Sequence, residues 1–106
     1  MRDVIKLTAR LSAKDVKELI RELAKSGEVS LTSHARDRMK ERGITMMQVL
    51  NCLSKGEFLE VAYSHDYGGG YTASLRRMVA GERIKVVVSL KLNKKLLVIT
   101  AISLKY

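Results

Sequence analysis

The sequence YTASLRRMV at residues 71–79, the connection AGE at 80–82 and the sequence RIKVVVSLK at 83–91 decide the fold. In both longer stretches apolar residues alternate with other residues, which is the period of a β-strand that buries one face. So short a connection favours antiparallel neighbours. Residues 71–91 therefore predict two paired strands. The apolar set that packs on the core is predicted to include Ile84, Val86, Val88 and Leu90.

Two further strands are predicted beside this pair. Residues 58–63 precede it across a glycine-rich stretch, 64–70, which predicts a flexible loop. Residues 96–105 follow it across a turn at 92–95, and they are apolar on both sides at first, as in a central strand. The C-terminal half of the chain thus predicts a four-stranded antiparallel meander.

Three helices are predicted before the sheet, at 12–26, 33–42 and 45–55. Ser12 and Thr45 are of the type that caps helix N-termini, and each is followed three residues later by Asp15 or Gln48. A glycine follows each helix, at Gly27, Gly43 and Gly56. Residues 28–32 alternate briefly, which fits either a short strand or an extended connector.

These elements predict an α+β fold in which N-terminal helices pack on one face of a C-terminal four-stranded antiparallel sheet. A chain of 106 residues corresponds to one domain, 1–106, with residues 1–10 as a candidate flexible arm. The predicted core residues share a position on an apolar stripe or an alternating strand: Val16, Ile20, Leu23, Val49, Leu53, Val86, Val88 and Ile102.

The charge of the chain favours anionic partners. The formal net charge is +9, and the excess of Lys and Arg is spread along the whole sequence. A positive field of this kind attracts nucleic acid, an acidic protein or an anionic membrane surface. No apolar run approaches the length of a membrane span, and the N-terminus lacks the apolar core of a signal peptide, so a membrane is not expected. Cys52 alone forms no disulfide framework and is expected to be a buried thiol, which fits the reducing cytoplasm.

One face of the predicted sheet combines cations with small hydroxyl groups. In the simplest register Arg76, Lys85 and Lys105 share the face away from the helices, together with the hydroxyl-bearing residues Thr72, Ser74, Ser89 and Ser103. Arg77 falls in the apolar set unless a bulge shifts it. Such a face suits an RNA backbone, whose phosphates and 2′-hydroxyls are the groups to bind. The alternative is that these cations only keep an exposed sheet face soluble.

A second basic row lies on the predicted helix 33–42. His34, Arg38 and Arg42 are spaced four residues apart and project from one side. An imidazole that exchanges protons near neutral pH, beside two permanent cations, suits a phosphodiester substrate. The alternative is an ordinary solvated helix face.

Several kinds of chemistry lack their signature in this sequence. No pair of carboxylates has two-metal spacing, and Gly68-Gly69-Gly70 lacks the context of a phosphate loop. We therefore expect no metal and no small-molecule cofactor. If the protein cuts RNA, we expect acid–base chemistry on the ribose 2′-hydroxyl.

Two stretches resemble known families. The box Ser33-His34-Ala35-x-x-Arg38-Met39-x-x-Arg42-Gly43-Ile44 resembles a small domain family placed among the RelE-like proteins. The layout from Leu53 onward, with the sequences YSHD at 63–66 and RMVAG at 77–81 and the terminal SLK at 103–105, is similar to the MqsR branch of the mRNA interferase toxins. The second likeness does not contain the His34 box, so the two imply different active-site residues.

The resemblance implies a RelE-like fold, an endoribonuclease that acts on mRNA with or without the ribosome, and a cognate antitoxin. By the same analogy Lys105 matches a basic residue at the end of the last strand, and Tyr71 lies near the position of an active-site tyrosine. We therefore interpret the chain as a metal-independent endoribonuclease, the toxin of a toxin–antitoxin pair.

In this interpretation His34 is the general base or acid, and Arg38 and Arg76 neutralise the scissile phosphate. Lys105 assists as a second phosphate contact or leaving-group donor, and Tyr71 is a candidate proton donor. The remaining predicted RNA-binding residues are Arg42, Lys85 and Arg77. Two alternatives are a non-catalytic nucleic-acid-binding module and an adaptor that captures an acidic partner on its sheet edge and basic face.

Overall fold

The structure is a computed structural model that describes residues 11–64, 70–79, 81–91 and 95–104. Its helices are α1 (Ala13–Lys25), α2 (Ser33–Arg42) and α3 (Met46–Lys55). Its strands are β1 (Val29–Leu31), β2 (Glu57–Ser64), β3 (Gly70–Val79), β4 (Glu82–Lys91) and β5 (Leu96–Ser103). The predicted arm at 1–10, most of the predicted loop and turns, and Lys105 lie outside the described residues.

Side chains cap all three helices, at Ser12 and Thr45 as predicted and at Thr32 for α2. The Ser12 hydroxyl accepts a hydrogen bond from the Asp15 backbone N–H at 3.1 Å. At the start of α2 the Thr32 hydroxyl accepts one from Ala35, and at the start of α3 Thr45 forms a reciprocal capping box with Gln48. These bonds satisfy N–H groups that have no partner within the helix, so they fix where each helix begins.

The sheet has five strands in the order β1-β5-β4-β3-β2 and is mixed, because β1 runs parallel to β5 while the other pairs are antiparallel. The prediction of a four-stranded antiparallel sheet is therefore wrong in strand number and in direction, although the α+β class and the meander itself are confirmed. Strand β1 has only three residues, too few to show a clear alternation. Its pairing with residues 96–98 places β5 inside the sheet, which explains why β5 is apolar on both sides.

The helices cover one face of the sheet. Helix α3 packs on β3 and β4, α1 packs on α3 and β2, and α2 lies against β5 and β1. The helix-covered face carries the strand residues of the core, which include Tyr71, Ala73, Leu75, Ile84, Val86, Val88, Leu90, Leu96, Val98 and Ala101. The opposite face carries Arg76, Lys85, Thr72, Ser74 and Ser89, as predicted. We call this second surface the open face.

The end of β5 differs from its predicted orientation. A register shift opposite Val87 and Val88 adds one residue to β5, so Ser103 pairs with the buried Ile84 and Ile102 pairs with Lys85. Ile102 is therefore half-buried on the open face rather than in the core, and Ser103 lies on the helix-covered side. Of the other predicted core residues, Leu23 is half-buried against the core and the rest are fully buried.

No helix among the described residues is long and apolar enough to cross a membrane, since the longest, α1, has 13 residues.

The division between the two faces predicts unequal effects of the same substitution at neighbouring positions. Val88 is fully buried under the helices, whereas Val87 lies on the open face between Ser74 and Thr100. Val88→Thr buries a hydroxyl and should lower the free energy of unfolding by about 1–3 kcal/mol. Val87→Thr should change it by less than about 0.5 kcal/mol. Urea denaturation measures both values, and equal losses would show that the faces are wrongly assigned.

Candidate nucleic-acid interface

The corner between α3 and β2 is the tightest point near the candidate site. The Gly56 N–H donates to the Cys52 carbonyl at 2.7 Å, which ends the helix and turns the chain into β2. A Cβ at residue 56 would collide with that carbonyl and lie 2.9 Å from the Arg76 carbonyl oxygen. Both neighbours are backbone atoms, so only glycine lets α3 approach β3 this closely.

Two arginines from different elements bind the C-terminal carbonyls of α3. Arg21 of α1 donates to the Leu53 carbonyl at 3.3 Å and to the Gly56 carbonyl at 2.8 Å. Arg77 of β3 donates to the Lys55 carbonyl at 3.1 Å. The last carbonyls of a helix lack partners within it and carry partial negative charge, so guanidinium groups are favourable there. These contacts fix the corner between the helix layer and the sheet.

A cavity of about 550 Å³ opens at this corner. We call it the basic cleft, and its lining residues are Lys55, Gly56, Glu57, Arg76, Arg77, Met78 and Arg83. Four of these seven residues are cations and one is a carboxylate. The Arg76 Nε lies 3.0 Å from the Glu57 Oε1 in an ion pair whose two side chains are each about half exposed or more.

Strand register explains why these residues meet. Strand β2 begins at Glu57, which pairs with Arg76, so the last residues of β3 extend beyond the paired part of β2. On the open face Met78 pairs with Arg83 of β4. Arg77 points to the helix-covered side opposite Ile84, which confirms that it belongs to the apolar set. Side chains from both faces of the hairpin therefore reach one cavity at its end.

Arg77 is only partly satisfied at this position. One terminal nitrogen binds the Lys55 carbonyl, but the buried Nε has no hydrogen-bond partner among the described residues. The positive charge of this guanidinium, which also lines the cleft, favours an anion there.

The predicted site residues separate into two groups. Arg76, Arg77 and Lys85 lie together, because Arg76 pairs directly with Lys85 across β3 and β4. His34, Arg38 and Arg42 lie on α2, which contacts β5 and β1, and β4 separates β5 from β3. His34 is exposed, and Arg38 forms a surface ion pair with Glu41 at 2.9 Å. The structure does not place the α2 row in the basic cleft.

Tyr71 lies apart from both groups. It sits on the helix-covered side of β3, about 17 Å along the strand from Arg76 at about 3.3 Å per residue. Its ring is buried edge-on against Tyr63, and its hydroxyl accepts a hydrogen bond from the Leu11 N–H at 2.7 Å. These contacts match a structural role. Lys105 lies outside the described residues, so its predicted role stays a prediction.

Sequence reasoning missed Lys55, Glu57 and Arg83 as members of this site. Lys55 is the last residue of α3, Glu57 the first of β2, and Arg83 the second of β4. Lys55 and Glu57 occupy element ends, where periodicity gives no face, while alternation puts Arg83 on the open face with Lys85 but does not show that it reaches the cleft. Their common location depends on the Glu57–Arg76 and Met78–Arg83 pairs, which only the strand register defines.

Cys52 lies behind the cleft and is not available for chemistry. It is fully buried, as predicted. Burial raises the pKa of its thiol to about 11, although the charges of Arg77 and Arg21 and a hydrogen bond with the Val86 backbone act in the opposite direction. The thiol is therefore protonated at neutral pH and unreactive.

No cluster of three or more His, Cys, Asp or Glu side chains that could hold a metal ion occurs within residues 11–64, 70–79, 81–91 and 95–104.

These observations define a small α+β domain with an arginine-rich cleft where its edge strand begins. Residues 31–103 match the family described as a domain of unknown function, DUF4258, and since this match covers more than half of the chain, the protein belongs to that family. The cleft residues lie inside the matched range, whereas α1 with Arg21 precedes it. No curated protein and no solved structure matches the chain.

The close approach at Gly56 predicts a large cost for a single methyl group. Gly56→Ala places a Cβ against two backbone carbonyls, so α3 and β3 must move apart. We expect the free energy of unfolding to fall by about 1–3 kcal/mol, as for other overpacked sites. The exposed neighbour serves as control, because Lys55→Ala should stay within about 0.5 kcal/mol of the wild type. Wild-type stability of Gly56→Ala in urea denaturation would contradict this geometry.

Proposed function

We propose that the protein binds RNA in the basic cleft and cuts it as a metal-independent endoribonuclease, the toxin of a toxin–antitoxin pair in the cytoplasm. The observation that supports this proposal is the convergence of Lys55, Arg76, Arg77 and Arg83 on one cavity. Phosphodiester binding is the part of the proposal that rests most directly on these contacts. The cleavage reaction and the antitoxin are carried over from the likeness to RelE-like proteins.

The charge of the cleft suits a phosphodiester. Three of its four cations are arginines, whose planar guanidinium groups donate paired hydrogen bonds to phosphate oxygens. Arg77 is held by the Lys55 carbonyl and Arg76 by Glu57, so these two guanidiniums are positioned before a ligand arrives. Pre-positioned donors lose less entropy on binding.

The open face extends this surface beyond the cleft. Lys85 lies beside Arg76, so the positive surface continues from β3 onto β4. The hydroxyl groups contribute less than the sequence suggested, because Ser74 and Ser89 are only 8% and 6% exposed. RNA contacts outside the cleft are therefore carried mainly by the cations.

Cleavage in this cleft would follow from attack of the ribose 2′-hydroxyl on the adjacent phosphate. Negative charge builds on the phosphorus oxygens in the transition state, and Arg76, Arg77 and Lys55 would stabilise it. The predicted base His34 lies on α2, outside the cleft. Glu57 is the carboxylate that lines the cleft.

RNA binding without cleavage is a second candidate function, and the position of His34 outside the cleft favours it. A helix-turn-helix arrangement is not favoured, because Val49, Cys52 and Leu53 of α3 are buried against the rest of the protein and a recognition helix must be exposed. An adaptor that captures an acidic protein would use the same cations, and co-purification with such a protein but no RNA would support it.

Binding should depend on the cleft cations and on salt. Arg76→Ala should weaken binding of a short RNA and reduce the slope of log K against log salt by about 1, because one phosphate contact is lost. Lys25→Ala, at the exposed end of α1, removes the same charge from a residue that does not line the cleft and should change the slope less. Fluorescence anisotropy at several salt concentrations measures both. Equal effects of the two variants would show that the basic cleft is not the RNA-binding site.

Cleavage should produce a 2′,3′-cyclic phosphate and a 5′-hydroxyl, and a chelator should not slow it. If His34 transfers the proton, His34→Ala should lower the single-turnover rate by about 10²- to 10⁴-fold. End-labelled RNA resolved on a denaturing gel, with mass spectrometry of the ends, gives both results. Full activity of His34→Ala would exclude the α2 row from the reaction. Binding without any cleavage by the wild type would favour the second candidate function.

A further inference from the structure

One acidic side chain lies among the cations of the basic cleft. Glu57 lines the same cavity as Lys55, Arg76, Arg77 and Arg83. A carboxylate repels a phosphate group, so its presence weakens a site that binds phosphate alone. A ligand that presents a hydrogen-bond donor next to its phosphate would instead benefit from it.

The geometry leaves this carboxylate accessible. The Glu57 Oε1 accepts a hydrogen bond from the Arg76 Nε at 3.0 Å, which orients the group. This bond uses Oε1, and the Glu57 side chain is 63% exposed, so a ligand in the cleft can reach the carboxylate. Because both members of this pair face solvent, it contributes little to stability, which leaves the carboxylate without a strong structural role.

The ribose 2′-hydroxyl is a hydrogen-bond donor that lies next to a phosphate and could bind the Glu57 carboxylate. The 2′-hydroxyl of a nucleotide lies on the carbon next to the one that carries the 3′-phosphate. A nucleotide whose 3′-phosphate is bound by Arg76 can present its neighbouring 2′-hydroxyl to Glu57, because the Arg76 and Glu57 side chains are in contact. This hydroxyl is also the group by which proteins distinguish RNA from DNA.

We propose that Glu57 accepts a hydrogen bond from the ribose 2′-hydroxyl and thereby makes the basic cleft selective for RNA over DNA. This inference rests on the proposed function, namely that the cleft binds a nucleotide phosphate. Arg76 acts on both groups, since it binds the phosphate and holds Glu57 in place.

Glu60 provides a matched control. It is also an exposed glutamate on β2, and its pairing with Ser74 places it on the open face like Glu57. It does not line the basic cleft. Glu57→Ala and Glu60→Ala remove the same charge from the same strand, so a difference between them reports position and not net charge.

The experiment uses ligands that contain no phosphodiester bond to cut and that differ in whether they carry the 2′-hydroxyl. The full chain and both variants are titrated with a ribonucleoside 3′-monophosphate, its 2′-deoxy counterpart and inorganic phosphate. Amide shifts of Gly56 and Glu57 in NMR spectra locate binding in the cleft. The measured quantity is the ratio of the ribo to the deoxy affinity, in which the general effect of charge on phosphate binding cancels.

We expect the wild type and Glu60→Ala to prefer the ribonucleotide roughly tenfold, as for one hydrogen bond to a charged group. Glu57→Ala should bring the ratio close to one while its affinity for inorganic phosphate stays equal or rises. Glu57→Gln keeps the shape with a weaker, neutral acceptor and should give an intermediate ratio. If Glu57→Ala fails to fold, the ratio measured for Glu57→Gln still tests the inference.

Two results would overturn the inference. The first is a wild-type ratio near one, and the second is an undiminished ratio in the Glu57 variants. In both cases the phosphate site, and with it the proposed function, remains. Absence of binding by inorganic phosphate and by both nucleotides would instead overturn the proposed function and the inference together.

Discussion

The binding of the α3 carbonyls by Arg21 and Arg77 is the interaction on which the rest of this structure depends. The last carbonyls of a helix lack partners within it, and here guanidiniums from α1 and β3 bind those of Leu53, Lys55 and the cap residue Gly56. The same contacts join α1, α3 and β3 into one unit. Gly56 makes the arrangement possible, because any side chain there would push the helix away from the strand.

This constraint also creates the basic cleft. Because the chain turns at Gly56, Lys55 and Glu57 lie on either side of the corner, facing the end of the β3–β4 hairpin. Arg77 serves both purposes, since it binds the Lys55 carbonyl from within the apolar side of β3 while lining the cavity. A charged residue that violates the apolar alternation of its strand thus lies in the site.

The candidate site was predicted only in part. Alternation correctly placed Arg76 and Lys85 together on the open face, and it correctly assigned Arg77 to the apolar set. It did not find Glu57, which begins its strand, and it did not place Arg83 in the site, because the position of Arg83 beside Met78 depends on the β3–β4 register. The sequence correctly placed His34 and Arg38 on one helix, α2. Spacing within a helix does not predict which strands that helix will contact.

The sequence by itself determined the local elements: three helices, two of them with caps that the sequence shows, and four long strands with alternating apolar residues, since these signals lie within a few residues of one another. Only the tertiary structure decided the fifth strand, the extra residue in β5 and the composition of the cleft. Strand β1 forms only by pairing with a distant part of the chain, since Val29 pairs with Leu96. The orientation of Ser103 depends on a register shift between two strands. Pairing over such distances is set by the whole core, and no short stretch of sequence records it.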